Sequence, residues 1–134
     1  MVLENERLVR AFYDYLAGGD IDQAVSLFRD GQTLWAVPGR GALAGEHEGR
    51  EAIRTALQQW EKGGYGRLER SMHALCAAGD NDHVYAQYVL RMERDGVTAK
   101  VGVIDAWHVR DGELAHVWTF FEDQYLFDEW SGPG

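Results

Sequence analysis

The chain has one cysteine, Cys76, and two prolines in 134 residues. A single thiol cannot close an internal disulfide, so packing alone must hold the fold, and a reducing compartment is the expectation. No apolar run approaches the roughly 18 residues of a membrane-spanning helix. The first ten residues, MVLENERLVR, mix acids and bases and lack the apolar stretch of a signal peptide. A cytoplasmic location without membrane contact is therefore expected. Cations are scarce: 13 Lys and Arg stand against 22 Asp and Glu, for a net charge of -9. Such a surface repels phosphate backbones and anionic lipid, which speaks against nucleic acid as a partner. The serines, Ser26, Ser71 and Ser131, include no nucleophile-elbow motif. Gly39–Gly45 is one residue too long for a dinucleotide loop, and His47–Glu51 is one residue short of the zinc-protease pattern and ends on glutamate. No cofactor and no metal are expected.

What is present is a core. The hydrophobic share is 46% and the charged share 26%, both ordinary for a globular chain. A chain of this length removes roughly 68% of its unfolded surface on folding. One domain over residues 1–134 is the expectation.

The periodicity divides the chain in two. Leu8 or Val9, Phe12, Tyr13 and Leu16 make an apolar helix face over residues 3–17, stopped by Gly18–Gly19. Asp20 caps a second helix over 21–29, with Ile21, Ala24, Val25 and Phe28 inward. Residues 33–37 read as a strand, 38–49 as a loop, and 50–62 as a third helix with Ile53, Ala56, Leu57 and Trp60 on one side. After Gly63–Gly66 the period shortens to two. Strands are expected at 67–78, 83–94, 97–110 and 113–121, joined by turns at 79–82, 94–96 and 110–112. Asp-Gly between apolar runs is a strong hairpin signal. Asp123 reads as the cap of a short helix carrying Tyr125, Leu126, Phe127 and Trp130. The order α-α-β-α-β-β-β-β predicts an α+β fold. It is a cone-shaped roll, with three helices from the N-terminal half packed on one face of a curved antiparallel sheet. A concave apolar space between the layers is the usual place for a small-molecule site.

Four phrases carry a resemblance: AFYDYLAGGDIDQAVSLF (11–28), LWAVPGRGALAGEHEGREAI (34–53), VIDAWHVRDGEL (103–114) and WTFFEDQYLFDEW (118–130). They resemble the nuclear transport factor 2-like superfamily, which includes the ketosteroid isomerases and the SnoaL-like polyketide cyclases. The resemblance implies a cone-shaped fold, a small-molecule pocket and a homodimer through the sheet. The isomerases place a tyrosine on the first helix, a general-base aspartate on the first strand and a protonated aspartate on a later strand. By the resemblance, the later aspartate is Asp105. The tyrosine position falls on Phe12 and the base position on Ala36 or Val37, none of which can take a proton. The cyclases use an aspartate on the last strand, and that position is Thr119. A related epoxide hydrolase branch needs an arginine two residues before Asp105, where this chain has Val103.

Strand alternation sorts the side chains. With Asp105 inward, so are Val101, Val103, Trp107 and Val109, then Ala86, Tyr88, Leu90 and Met92, then Ala115, Val117, Thr119 and Phe121. The expected ligand pocket is Phe12, Trp35, Tyr88, Leu90, Met92, Val103, Trp107, Val117, Thr119 and Phe121. It suits a flat, mostly apolar molecule with one or two oxygens. Asp105 is an acid in the middle of the apolar strand VGVIDAWHV, where burial would raise its pKa and let a neutral carboxyl donate a hydrogen bond. It equally fits a structural acceptor for a backbone group or a tyrosine. His73 is a candidate base by its near-neutral pKa, and Tyr13 a substitute for the missing tyrosine; each has a packing role as its alternative. Cys76 is expected in the core. Ile104, His108, His116, Trp118 and Phe120 fall on the opposite sheet face, to be covered by a second copy or by the C-terminal segment. His83, His108 and His116 would form a metal cluster only if strand register brought them together. Two functions stay open: a cofactor-free isomerase, cyclase or dehydratase acting on an apolar carbonyl compound, or a module that binds or scaffolds without turnover.

Overall fold

The first helix forms because its apolar residues recur at helical spacing, and it stops where two glycines follow. A computed structural model describes residues 2–79 and 82–132. Helix α1, Val2–Ala17, buries Val9, Phe12, Tyr13 and Leu16. Burying each such side chain contributes about 1.5–3 kcal/mol. Gly19, at a φ of 75°, ends the helix by donating to the Leu16 carbonyl. Helix α2, Ile21–Ser26, is capped by the Asp20 carboxylate, which accepts from the Gln23 N–H. It ends earlier than the pattern predicts. The backbone at Leu27 and Arg29 bonds Leu114 instead, in a short parallel bridge centred on Phe28.

Strand β1, Leu34–Val37, matches the expected strand to within one residue. The expected loop after it contains strand β2, Gly45–Glu48, paired antiparallel to β1. Its sequence, GEHE, has no apolar alternation, so only backbone pairing marks it. Helix α3, Arg50–Lys62, buries Ile53, Ala56, Leu57 and Trp60 as expected.

Strands β3 (Arg67–Ala77), β4 (His83–Arg94), β5 (Val97–Arg110) and β6 (Glu113–Phe121) form the meander. Asp95–Gly96 and Asp111–Gly112 all have positive φ, as a type I′ hairpin turn requires. In the expected 79–82 turn, residues 80 and 81 lie outside the described residues. The sheet order is β2-β1-β6-β5-β4-β3, with β1 parallel to β6 and every other pair antiparallel. Helices α1 to α3 lie on its concave face.

Helix α4, Gln124–Ser131, is capped by Asp123. It turns back toward the core: Phe127 is buried and stacks on Phe121 at 3.8 Å, and the Trp130 indole donates to the Tyr65 carbonyl. The C-terminal segment therefore leaves the outer sheet face uncovered, against one of the two expectations. Ile104 and Phe120 remain 44% and 55% exposed there.

Candidate functional site

Register puts Asp105 on β5 opposite Ala86 on β4 and Thr119 on β6, all inward. The carboxyl is buried, at 5% exposure, and α1 lowers Tyr13 onto it from above. Three hydroxyls converge. Tyr13 and Tyr88 bond Oδ2 at 2.6 and 2.8 Å, and Thr119 bonds Oδ1 at 2.7 Å.

The direction of these bonds follows from two indoles, which can only donate. Trp107 Nε1 donates to the Tyr13 oxygen at 2.8 Å, and Trp35 Nε1 to Thr119 Oγ1 at 2.9 Å. Tyr13 and Thr119 thus each have a lone pair filled and a proton free for Asp105, to which Tyr88 also donates. Both carboxyl oxygens are acceptors in a directed network.

Burial works against this arrangement. It raises the Asp105 pKa above the ordinary carboxylate value; the bonds from Tyr13, Thr119 and Tyr88 and the charge of Arg70 pull it only part of the way back. Burial, and then the field of Asp105, hold Tyr13 and Tyr88 well above the ordinary phenol range. Both tyrosines therefore remain neutral donors at neutral pH. The centre combines a carboxyl poised to exchange a proton with two hydroxyls able to bond a developing negative charge.

The free space beside it is small. A cavity of about 20 Å³ adjoins Asp105, Tyr13, Tyr88 and Thr119, room for about one water molecule. The open hollow expected for a flat ligand is instead filled by the protein's own rings. Phe12 meets Trp107 edge-on at 4.8 Å, and Trp35 stacks on Trp60 at 5.5 Å.

A family of SnoaL-like domains matches residues 9–117 of the sequence. The chain belongs to that family. Bal32a, from a soil-derived mobile gene cassette, is similar at 27% identity over 98% of both chains, with a TM-score of 0.89. TerC, co-crystallised with polyporic acid, is 22% identical over 94% of this chain and 96% of its own, with a TM-score of 0.82. A Xanthomonas campestris pv. campestris protein described as a candidate polyketide cyclase is 18% identical over 97% and 98%, with a TM-score of 0.77. These last two likenesses show the fold alone. No curated protein matches the sequence.

In this SnoaL-like domain the hydroxyl expected at the Phe12 position is carried by its neighbour Tyr13. Phe12 itself packs against Phe28 and Trp107. Of the expected pocket residues, Phe12, Trp35, Tyr88, Trp107, Val117 and Thr119 line the cavity. Leu90, Met92 and Val103 are buried farther along the core, and Phe121 is half-buried against Phe127.

His73 is not part of the site. It is exposed, at a β-bulge between Met72 and Ala74. The extra residue shifts the phase of the strand. Leu68, Arg70 and Met72 are half-buried before the bulge, and Leu75 and Ala77 after it. The same shift turns Cys76 outward, so it is exposed and not in the core.

Register does align His83, His108 and His116 across β4, β5 and β6, on the outer face. The rings of His83 and His108 stack at 4.8 Å, and the two Nδ1 atoms of His108 and His116 lie 3.4 Å apart. Burial, then Arg110, lower the pKa of both His108 and His116. Among the described residues no group of three or more His, Cys, Asp or Glu is placed to hold a metal.

Sequence reasoning missed Arg70. It lines the cavity and pairs with Glu61 of α3 at 2.6 Å. Its alternation with Leu68 and Met72 was the available signal: a cation on the apolar side of a strand.

Proposed function

We propose that this SnoaL-like domain binds a small, flat, mostly apolar carbonyl compound and performs cofactor-free acid/base chemistry on it: isomerisation, cyclisation or dehydration. The observation that carries this reading is the buried Asp105 carboxyl, held by three hydroxyls beside a cavity otherwise walled by rings and aliphatic groups. Asp105 takes and returns the proton. Tyr13 and Tyr88 stabilise negative charge on the ligand oxygen, and the ring walls exclude water. The neighbours described as a candidate polyketide cyclase and as a complex with polyporic acid support the choice of small-molecule chemistry.

Deuterium uptake tests it. The α-hydrogens of 2-tetralone exchange in D2O through an enolate, with mass spectrometry as the readout. The expected result is exchange accelerated by the protein and slowed by roughly a hundredfold or more in Asp105→Asn, as loss of a general acid–base group gives. Exchange at the buffer rate would overturn the enzyme reading.

The second reading, a module that binds or scaffolds without turnover, is favoured by the small cavity and by the fact that Asp105 already has three partners. Native mass spectrometry showing a retained ligand without exchange chemistry would select it. For either reading the partner across the sheet is a second copy of the chain. The exposed Ile104 and Phe120, with Trp118, His108 and His116 beside them, support this arrangement.

A further inference from the structure

Arg70 is about nine-tenths buried, at 11% side-chain exposure, yet only part of its guanidinium is used. Nη1 bonds Glu61; Nε and Nη2 are buried without an acceptor. The group lies 4.9 Å from the Trp60 ring centre and 5.8 Å from that of Tyr88. Its charge reaches the Tyr88 oxygen and strengthens that hydroxyl as a donor, but the two do not meet at hydrogen-bond geometry. Trp60, another cavity wall, also has a buried Nε1–H without an acceptor. Buried donors are rarely left unmatched. Here three N–H-bearing atoms on two neighbouring walls are unmatched, and nearly every other buried polar side chain of the centre is satisfied.

Position adds a second observation. Arg70, Tyr13 and Leu16 line both the inner cavity and an open groove between α1 and β3. Apart from the ion pair itself, that groove carries Arg10, Lys62 and Arg67 against Asp14 and Glu69. It is locally cationic on a chain whose net charge is -9. A concave cationic entrance raises the local concentration of anions.

We propose that the ligand carries an acidic group, a carboxylate or an acidic enol, and that Arg70 holds this group at the entrance through Nε–H and Nη2–H. This rests on the small-molecule reading above and adds the ligand's charge to it. The carbonyl end of the ligand then points from the groove toward Asp105, Tyr13 and Tyr88, and seating its apolar body requires the cavity of about 20 Å³ to widen. Glu61 keeps the guanidinium charged in spite of burial, and Trp60 offers its N–H to the same acidic group.

Binding of two probes of similar shape tests the proposal: 2-naphthoate and the uncharged 2-acetylnaphthalene, titrated calorimetrically. The expected preference for naphthoate is roughly tenfold to a hundredfold, the effect of one charge-assisted hydrogen bond. Arg70→Met would strand the Glu61 charge. The double variant Arg70→Met with Glu61→Leu therefore removes both partners, which buried pairs tolerate better than loss of one. In a double variant that keeps its near-ultraviolet circular dichroism, the ratio of naphthoate to ketone affinity should fall to about one. Arg70→Lys should keep part of the preference. Equal binding of the two probes by the wild type, or a preference that survives the double variant, overturns the proposal and leaves the small-molecule reading standing. Binding of neither probe overturns both.

Discussion

Replacing Asp105 by asparagine keeps the shape of the side chain and removes its titration. The amide must point its NH2 at one of the two carboxyl positions. Facing Oδ2 it would oppose two tyrosine protons; facing Oδ1 it opposes only that of Thr119. The second orientation is favoured, and it leaves the Thr119 proton without its acceptor because the amide NH2 donates and cannot accept. One lost buried hydrogen bond costs about 1–3 kcal/mol. The wild type has an opposing penalty. Its folded carboxyl has a raised pKa, chiefly through burial, so the folded state holds the proton more tightly than the unfolded chain. Between the unfolded value near 4 and the raised folded value, stability must fall as pH rises, by up to about 1.4 kcal/mol per pH unit. Below that window the carboxyl contributes no pH dependence, and above it the cost is complete. The variant lacks this slope, and all other groups titrate alike in both proteins. The gap, wild-type stability minus that of Asp105→Asn, should shrink as pH rises, whatever its value at pH 4, where the neutral carboxyl faces the same donor conflict as the amide. Urea unfolding from pH 4 to 8, followed by fluorescence of the buried Trp35, Trp60 and Trp107, reads the difference. A constant gap would mean an ordinary carboxyl. A gap that widens with pH would mean that the hydroxyls and Arg70 outweigh burial, which refutes the raised pKa on which proton transfer by Asp105 rests.

Gly39 has a φ of 100°, and a Cβ there would stand 2.2 Å from Gln124 Nε2 and 2.3 Å from Asp128 Oδ1 of α4. Gly39→Ala should cost about 1–3 kcal/mol in backbone strain, read as a lower urea midpoint; an unchanged midpoint would contradict the docking of α4 on this loop. Trp107→Phe removes the N–H that orients Tyr13 and should cost about 1–3 kcal/mol from the lost bond and the smaller ring together. Slower deuterium exchange into 2-tetralone should accompany it, since Tyr13 is then free to turn away from Asp105. Phe120→Asp places a charge on the outer sheet face; sedimentation velocity should show a dimer in the wild type and a monomer in the variant, with unchanged circular dichroism.

The parts of the fold legible in the sequence are those encoded within a few residues. Asp20 and Asp123 sit one residue before their helices and cap them. Asp95–Gly96 and Asp111–Gly112 carry the left-handed turn in their own chemistry. The misread parts depend on distant partners. Strand β2 is polar and exists because β1 offers it a backbone edge. Helix α2 stops at Ser26 because the following backbone is bonded by Leu114, far along the chain. The site divides in the same way. An acid inside VGVIDAWHV marks itself, so Asp105 could be found alone. Its donors could not be ordered in advance, since α1, β1, β4, β5 and β6 each contribute one member of the network. His73 and Cys76 went astray through one inserted residue, which alternation cannot anticipate.

The small cavity and the proposed ligand chemistry are compatible only if one wall can move without breaking the sheet. Strand β3 is one of the two edge strands, bonded to β4 alone. Between α1 and β3 there is no strand pairing: side chains pack there, with Leu16, Tyr13 and Arg70 between the cavity and the groove outside, and the Ala77 N–H donates to the Glu6 carboxylate at 2.9 Å. Parting α1 from β3 would cost the Glu6–Ala77 and Tyr13–Asp105 bonds but no strand pairing, whereas parting any two strands would break a ladder. Arg70 is tied to Glu61 of α3 and not to α1, so its unmatched N–H groups would stay in place in such an opening. The same geometry assigns the Tyr13 bond to the moving wall and the Tyr88 and Thr119 bonds to the fixed sheet.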